Sequence, residues 1–250
     1  MAESRFTDFV DLYDKYRLSY NSDTILETIK YISNFIKIEN IADIGSGTGI
    51  LTLQLLKYKF NKYYAVEPNI AMQECSINKD KKDKIIHLNN MSNNTDIPAK
   101  TIDIIFVGTA IHWFEPQSTL KEFKRILKPN GFLVLLHGGA NDKTCDDILN
   151  LNKKYKDYIN NRESDTRYAN NMSNYSNKFY TIIGRNPIIL TQDQFMGLHM
   201  SFSTSPKKTD KIYDKFVEEL KNIYNTHAQD NKLTLSNKTT ILISNELFKK

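Results

Sequence analysis

Hydrophobic positions along this chain recur at two alternating periods. Ile25, Ile29, Ile32 and Ile36 repeat at helical spacing, and Thr24-x-x-Glu27 has the spacing of a capping box, so residues 22–37 read as a helix. Ile41-Ala-Asp-Ile44 is a short apolar strand broken by glycines 45, 47 and 49, after which Leu51, Leu55 and Leu56 mark the inner face of a second helix. The alternation continues with a strand over Lys62–Val66, a helix over 69–78 and a strand over Lys84–Leu88. It ends with a fully apolar strand at Ile102–Gly108, a helix over Gln117–Leu127 with Leu120, Phe123 and Leu127 inward, and a fifth strand at Gly131–Leu136. Strands alternating with helices predict βαβ units, hence a parallel sheet covered on both faces, with right-handed crossovers.

Beyond residue 137 the pattern changes. Residues 141–180 are rich in Asn, Lys, Asp and Tyr, with one helix expected over Cys145–Ile159. Asn186–Leu190 reads as a strand, Thr191 as the cap of a helix through Leu198, and Lys211–Tyr224 as an amphipathic helix with Ile212, Phe216, Leu220, Ile223 and Tyr224 on one side. Leu233–Ile243 alternates like a late antiparallel strand at the sheet. No internal repeat or Pro/Gly-rich linker appears. The expectation is one domain: an N-terminal arm (1–21), a core (22–137), a cap insertion (138–185), and C-terminal strands and helices that complete sheet and cap (186–250).

Composition narrows the class. The 250 residues are 40% hydrophobic and include 14 Tyr and 13 Phe, enough for a packed core. The apolar stretches around Ile102–Ala110 and Gly131–Leu136 are too short to span a bilayer, and the first residues lack the pattern of a signal peptide. Two cysteines, Cys75 and Cys145, make no disulfide framework or zinc spacing, so a reducing, cytoplasmic setting and no metal are expected, with Cys75 a core thiol. A net charge of +5 suggests nucleic acid until its make-up is read: 28 of the 34 basic residues are Lys, beside abundant Asn, Ile and Tyr, which is a compositional bias of the whole chain.

Chemistry concentrates at the first strand–helix turn, Asp43-Ile-Gly-Ser-Gly-Thr-Gly49. In an open α/β sheet this is where ligands bind, because glycines admit a ligand close to the backbone and the helix start offers free N–H donors. The spacing is D-x-G-x-G-x-G; a dinucleotide G-x-G-x-x-G would need glycine at position 50, which is Ile, and no G-K-[ST] follows for a phosphate loop. Glu67 ends the second strand, where a carboxylate can accept both hydroxyls of a ribose.

The runs IADIGSGTGILT, YYAVEPNIAM and LKPNGFLVLL resemble the class I S-adenosylmethionine-dependent methyltransferases. Tyr13-Asp-Lys-Tyr16-Arg17-Leu-Ser-Tyr20, Asn90-Met-Ser-Asn93-Asn-Thr-Asp-Ile-Pro98 and Ala110-Ile-His-Trp-Phe114 extend the resemblance to the small-molecule subgroup related to trans-aconitate and ubiquinone/menaquinone methyltransferases. The motifs fall in order over residues 9–137. The implied fold is a Rossmann-like, doubly wound, seven-stranded α/β sheet, mostly parallel with its last strand antiparallel, carrying helical cap insertions.

The resemblance implies S-adenosyl-L-methionine as cofactor. Asp43 and the turn of Gly45, Ser46, Gly47 and Gly49 would hold its amino-acid part and sugar, and Glu67 with Pro68 the ribose. Ile70, Met91 and Ser92 would lie at the adenine. Gly108, Tyr16 and Arg17 complete the implied cofactor contacts, Arg17 pairing with the cofactor's carboxylate or with an acidic substrate. Tyr13, Tyr20, Thr109, His112 and Trp113 are the candidate substrate pocket, in which His112 either takes the acceptor's proton as catalytic base or only orients the loop while Trp113 packs the following helix. Asn90 and Asn93 stand where the subgroup has Gly and Glu, and Leu18 and Asn21 replace its prolines. The expected activity is methyl transfer to an O or N atom of a small molecule, an acidic one among the options. RNA or DNA methylation and non-catalytic cofactor binding are the alternatives. An [N/D/S]-P-P-[Y/F/W] motif, frequent in enzymes that methylate nucleic-acid amines, is missing after the fourth strand.

Overall fold

The computed structural model describes residues 10–140, 142–158 and 172–247. Its centre is a seven-stranded sheet built from β1 (Asn40–Ile44), β2 (Lys62–Val66), β3 (Ile85–Leu88), β4 (Ile102–Gly108), β5 (Leu127–Ala140), β6 (Tyr180–Arg185) and β9 (Asn237–Ser244). The order is β3-β2-β1-β4-β5-β9-β6, with β9 alone antiparallel to its neighbours β5 and β6. The chain order reverses between β1 and β4, which opens a crevice beyond the carboxyl ends of those strands.

Successive strand residues face opposite sides, so β1 and β4 feed two cores. Ile41, Ile104 and Phe106 pack with Ile25, Ile29 and Ile32 of α2 (Ser22–Ser33) and Leu51 and Leu55 of α3 (Ile50–Leu55). Ala42, Ile44, Ile105 and Val107 pack with Phe123 and Ile126 of α5 (Pro116–Ile126). α4 (Ile70–Lys79) links β2 to β3. The arm forms α1 (Val10–Tyr16), which lies against α4 and against α7 (Gln192–Met200).

The second half builds a cap with a core of its own. Ile148 and Leu151 of α6 (Lys143–Lys154), Phe195 and Leu198 of α7, and Phe216, Leu220 and Tyr224 of α8 (Tyr213–His227) pack together. Leu190, Leu233 and Leu235 join them from a two-stranded ribbon of β7 (Ile188–Leu190) and β8 (Leu233–Leu235).

Several expectations need correction. Asn21, not Thr24, caps α2: its side chain accepts from the Thr24 N–H at 2.9 Å, while Thr24 is buried, and the helix ends at Ser33. The strand expected near Asn186–Leu190 belongs to the cap ribbon, and the sheet takes Tyr180–Arg185 in its place. The single strand read over Leu233–Ile243 is two, broken at Ser236, whose N–H and hydroxyl both reach Asp142 at 2.8 and 2.9 Å. The far end of the helix expected over Cys145–Ile159 lies outside the described residues. No helix among the described residues is long and apolar enough to cross a membrane.

Candidate functional site

The turn after β1 is shaped by backbone conformations that only glycine adopts freely. Gly45, Gly47 and Gly49 have φ of 73°, 55° and 83°. A side chain would also collide: a Cβ at Gly45 would lie 2.7 Å from the Ala110 Cβ, and one at Gly49 would run into the Ser76 hydroxyl. The turn is thus clamped between α4 and the loop after β4. Gly45 and Ser46 N–H donate to the Val66 carbonyl at 2.8 and 3.1 Å, which pins the turn to the end of β2.

Glu67, the next residue, is 7% exposed. One carboxylate oxygen accepts from the Gly47 N–H at 2.9 Å and the other from the Asn69 N–H at 2.9 Å. Asn69 caps α4 through Met72 N–H, and Asn89 holds the Glu67 and Pro68 carbonyls at 3.0 and 3.1 Å. The spacing of the motif did not reveal these two asparagines, although Asn69 is the first residue of the helix expected over 69–78, and the observed helix starts one residue later with Asn69 as its cap.

Asp43 lies beneath the turn, 1% exposed. Its Oδ2 accepts from the Thr52 hydroxyl at 2.6 Å, and its buried Oδ1 has no hydrogen-bond partner. Burial pushes this carboxyl up to about 7; the Thr52 hydrogen bond opposes that and the nearby Glu67 charge reinforces it. A buried, half-satisfied carboxylate under a glycine cradle suits a cationic ligand.

The remaining predicted residues divide. Ile70 and Met91 are 61% and 52% exposed, at the rim where a flat base could lie. The Ser92 hydroxyl is engaged with that of Thr119 at 2.9 Å. The loop after β4 reaches the turn: Phe114 packs over Gly45 and edge-on to Phe123, while Ile111 is fully buried in the 3-10 turn Ile111–Trp113. His112 and Trp113 are half-buried, their rings 4.9 Å apart. Tyr20 stands over the end of β4, with its hydroxyl 2.9 Å from that of Thr109, a residue held at φ 52°. A Cβ on Gly108 would meet that tyrosine oxygen at 2.8 Å.

Tyr16 is engaged with the cap: its ring occupies the space over Gly197, and its hydroxyl donates to Asp193 at 2.7 Å. Arg17 lies between the rings of Tyr13 and Phe202, 4.7 and 4.1 Å from their centres. Lys79 ties α1 down by bonding Asp14 and, at 2.9 Å, the Thr48 carbonyl. Cys75, expected in the core, is half-buried beside Asp14 and Lys79, where burial raises its thiol. No group of three or more His, Cys, Asp or Glu able to hold a metal occurs among the described residues. Gly197, His199 and Phe202 escaped sequence reading because they look like an ordinary helix end.

An open α/β sheet with a glycine turn under a strand-end carboxylate has the form of a Rossmann-like fold. Residues 42–135 match the family model described as a methyltransferase domain. A methyltransferase of Dictyostelium discoideum is 29% identical over 133 residues, 53% of this chain and 48% of that protein. The malonyl-[acyl-carrier protein] O-methyltransferase of Brevibacillus brevis is 32% identical over 139 residues, 52% and 50% of the two chains. The chain spans about half the length of the curated relatives it matches. A type II methyltransferase structure from Anaeromyxobacter dehalogenans shares the fold at a TM-score of 0.67 and 14% identity, covering 91% of this chain and 96% of the other. Residues 42–135 are thus similar to methyltransferase domains, and the sheet has the fold that methyltransferase structures share.

Proposed function

We propose that this chain binds S-adenosyl-L-methionine and passes its methyl group to an oxygen or nitrogen of a small-molecule acceptor. The observation that carries the reading is the glycine turn closed by Glu67 above the buried, half-satisfied Asp43. The residues fit the cofactor: Glu67 sets a carboxylate, the group that accepts from ribose hydroxyls, at the end of β2 against the glycine turn, and Asp43 offers a buried negative charge toward its cationic amino-acid end. When bound, the cofactor supplies a methyl group activated on a sulfonium. The chain's own part is to position that group and exclude water, and both can supply much of the rate. Thr109, Trp113 and His112 stand on the loop that packs on the turn, and His112 is assigned the acceptor's proton. The name of the Brevibacillus relative supports an oxygen acceptor, and a malonyl group is acidic.

Isothermal titration with S-adenosylmethionine tests the cofactor, and isotope transfer from the labelled cofactor into a metabolite extract tests turnover. Binding by the wild type that weakens in Glu67→Ala is the expected result. No binding, or an affinity unchanged by that substitution, overturns the reading. In His112→Gln, a fall in kcat with cofactor affinity retained supports the proton role, and an unchanged kcat removes it.

A further inference from the structure

Arg17 carries a positive charge in a place that gives it no counter-charge. Its side chain is half-buried, its Nε is buried without a hydrogen-bond partner, and no carboxylate forms an ion pair with it among the described residues. Rings hold the guanidinium: Phe202 at 4.1 Å and Tyr13 at 4.7 Å. The Phe202 ring is also 5.6 Å from the ring of His199, which in turn lies 4.5 Å from that of Phe195. The Nε2 of His199 is buried and has no partner either. Two unsatisfied nitrogens, one on the arm and one on the cap, thus border a single aromatic ring.

Such groups are costly to bury unless something pairs with them. Burial and then the charge of Arg17 push His199 down to about 3, so its ring is neutral and can donate one N–H without adding charge. A guanidinium with a neutral imidazole donor, walled by the rings of Tyr13, Phe202 and Phe195, matches a single anionic group on an apolar body. Tyr20, three positions along the arm from Arg17, connects this place to the reaction crevice, because its hydroxyl meets Thr109 at the end of β4.

Resting on the methyltransferase reading, we propose that Arg17 and His199 form the acceptor's anion subsite, which selects a flat apolar molecule bearing a carboxylate or phosphate. Arg17 then serves the acceptor and not the cofactor's own carboxylate.

The test titrates phenylacetate, phenylphosphate and uncharged phenylacetamide into the full chain, with and without saturating S-adenosylhomocysteine. Phenylacetate or phenylphosphate should bind the wild type at least about tenfold more tightly than phenylacetamide, and their order identifies the preferred anion. Arg17→Met and His199→Phe should each erase that preference, His199→Gln should restore part of it, and S-adenosylhomocysteine affinity should stay within about twofold in all three. Equal binding of anion and amide by the wild type overturns the proposal without needing any variant to fold. A tenfold loss of S-adenosylhomocysteine affinity in Arg17→Met overturns it by assigning the guanidinium to the cofactor. Failure of the wild type to bind S-adenosylhomocysteine sinks the function reading alone, since the anion–amide difference is read on the same protein without it.

Discussion

The sheet half and the cap half of this molecule make their sites by different means. At the sheet, recognition is built from backbone: three left-handed glycines, the N–H groups that bond Val66 and Glu67, and one strand-end carboxylate. At the cap it is built from side chains, with Arg17, Phe202 and His199 brought together from an arm and a helix end far apart in sequence. A backbone site depends on the strand–turn–helix geometry and suits a constant ligand. A side-chain site can change with any substitution and suits a variable one. The two halves also have separate cores, which makes the contrast open to experiment.

The largest effect should come from loosening the cap core. Phe195 is fully buried, so Phe195→Ala should cost about 3–5 kcal/mol in denaturant unfolding. Cofactor affinity should nonetheless survive, because none of that cluster's residues belongs to the glycine turn. If calorimetry showed cofactor binding lost in a folded Phe195→Ala protein, the halves would be coupled and the comparison would break. The converse substitution, Glu67→Ala, should leave the cap intact and weaken S-adenosylmethionine binding about 100-fold, equivalent to roughly 2.7 kcal/mol for lost charge-assisted hydrogen bonds.

Asp43 adds a pH signature to the sheet half. Its folded value of about 7 exceeds the ordinary 3.8, so between these pH values the folded state holds a proton that the unfolded chain releases. Stability of the cofactor-free protein should therefore fall as pH rises through that window and level off above it. A cationic ligand prefers the ionised carboxylate, so S-adenosylmethionine affinity should rise from pH 6 to pH 8, with uptake of cofactor coupled to proton release. Asp43→Asn should flatten both slopes in urea midpoints and titration calorimetry; a slope that persists would place the titrating group elsewhere.

The same contrast explains what could be read from sequence. Parallel strands buried on both faces spell themselves as apolar runs, as at Ile102–Gly108, and the D-x-G-x-G-x-G spacing is local, so the core and its turn were legible. β6 was hidden: it is an edge strand with Tyr180 and Ile183 half-exposed or more, and it follows an Asn-rich stretch. The break between β8 and β9 depends on Asp142, ninety-four positions from Ser236, which no local pattern reports. The cap of α2 was misplaced by three residues because Thr24 has the right chemistry, yet it faces the core beside Gly184 while Asn21 is left to accept its N–H. Arg17 could be singled out by motif, but its partners Phe202 and His199 emerge only when α1 packs into the notch at Gly197.

The arm touches both halves, and the smallest prediction asks to which it belongs. Tyr20 bonds Thr109 of the sheet at 2.9 Å in half-buried surroundings, whereas Tyr16 bonds Asp193 of the cap at 2.7 Å in an exposed position. Water competes for the exposed bond, so its loss should cost only a few tenths of a kcal/mol, against about 1 kcal/mol for the sheltered one. Thr109 sharpens the difference, since its left-handed backbone at φ 52° is held in part by that bond and by its N–H to the Leu136 carbonyl at 2.9 Å. Tyr20→Phe should thus raise the rate of proteolysis within the arm more than Tyr16→Phe does, and the double variant should be close to additive because one hydroxyl bonds Thr109 and the other Asp193. If Tyr16→Phe had the larger effect, the arm would be a part of the cap resting on the sheet, and cofactor affinity would then follow the cap's stability instead of standing apart from it.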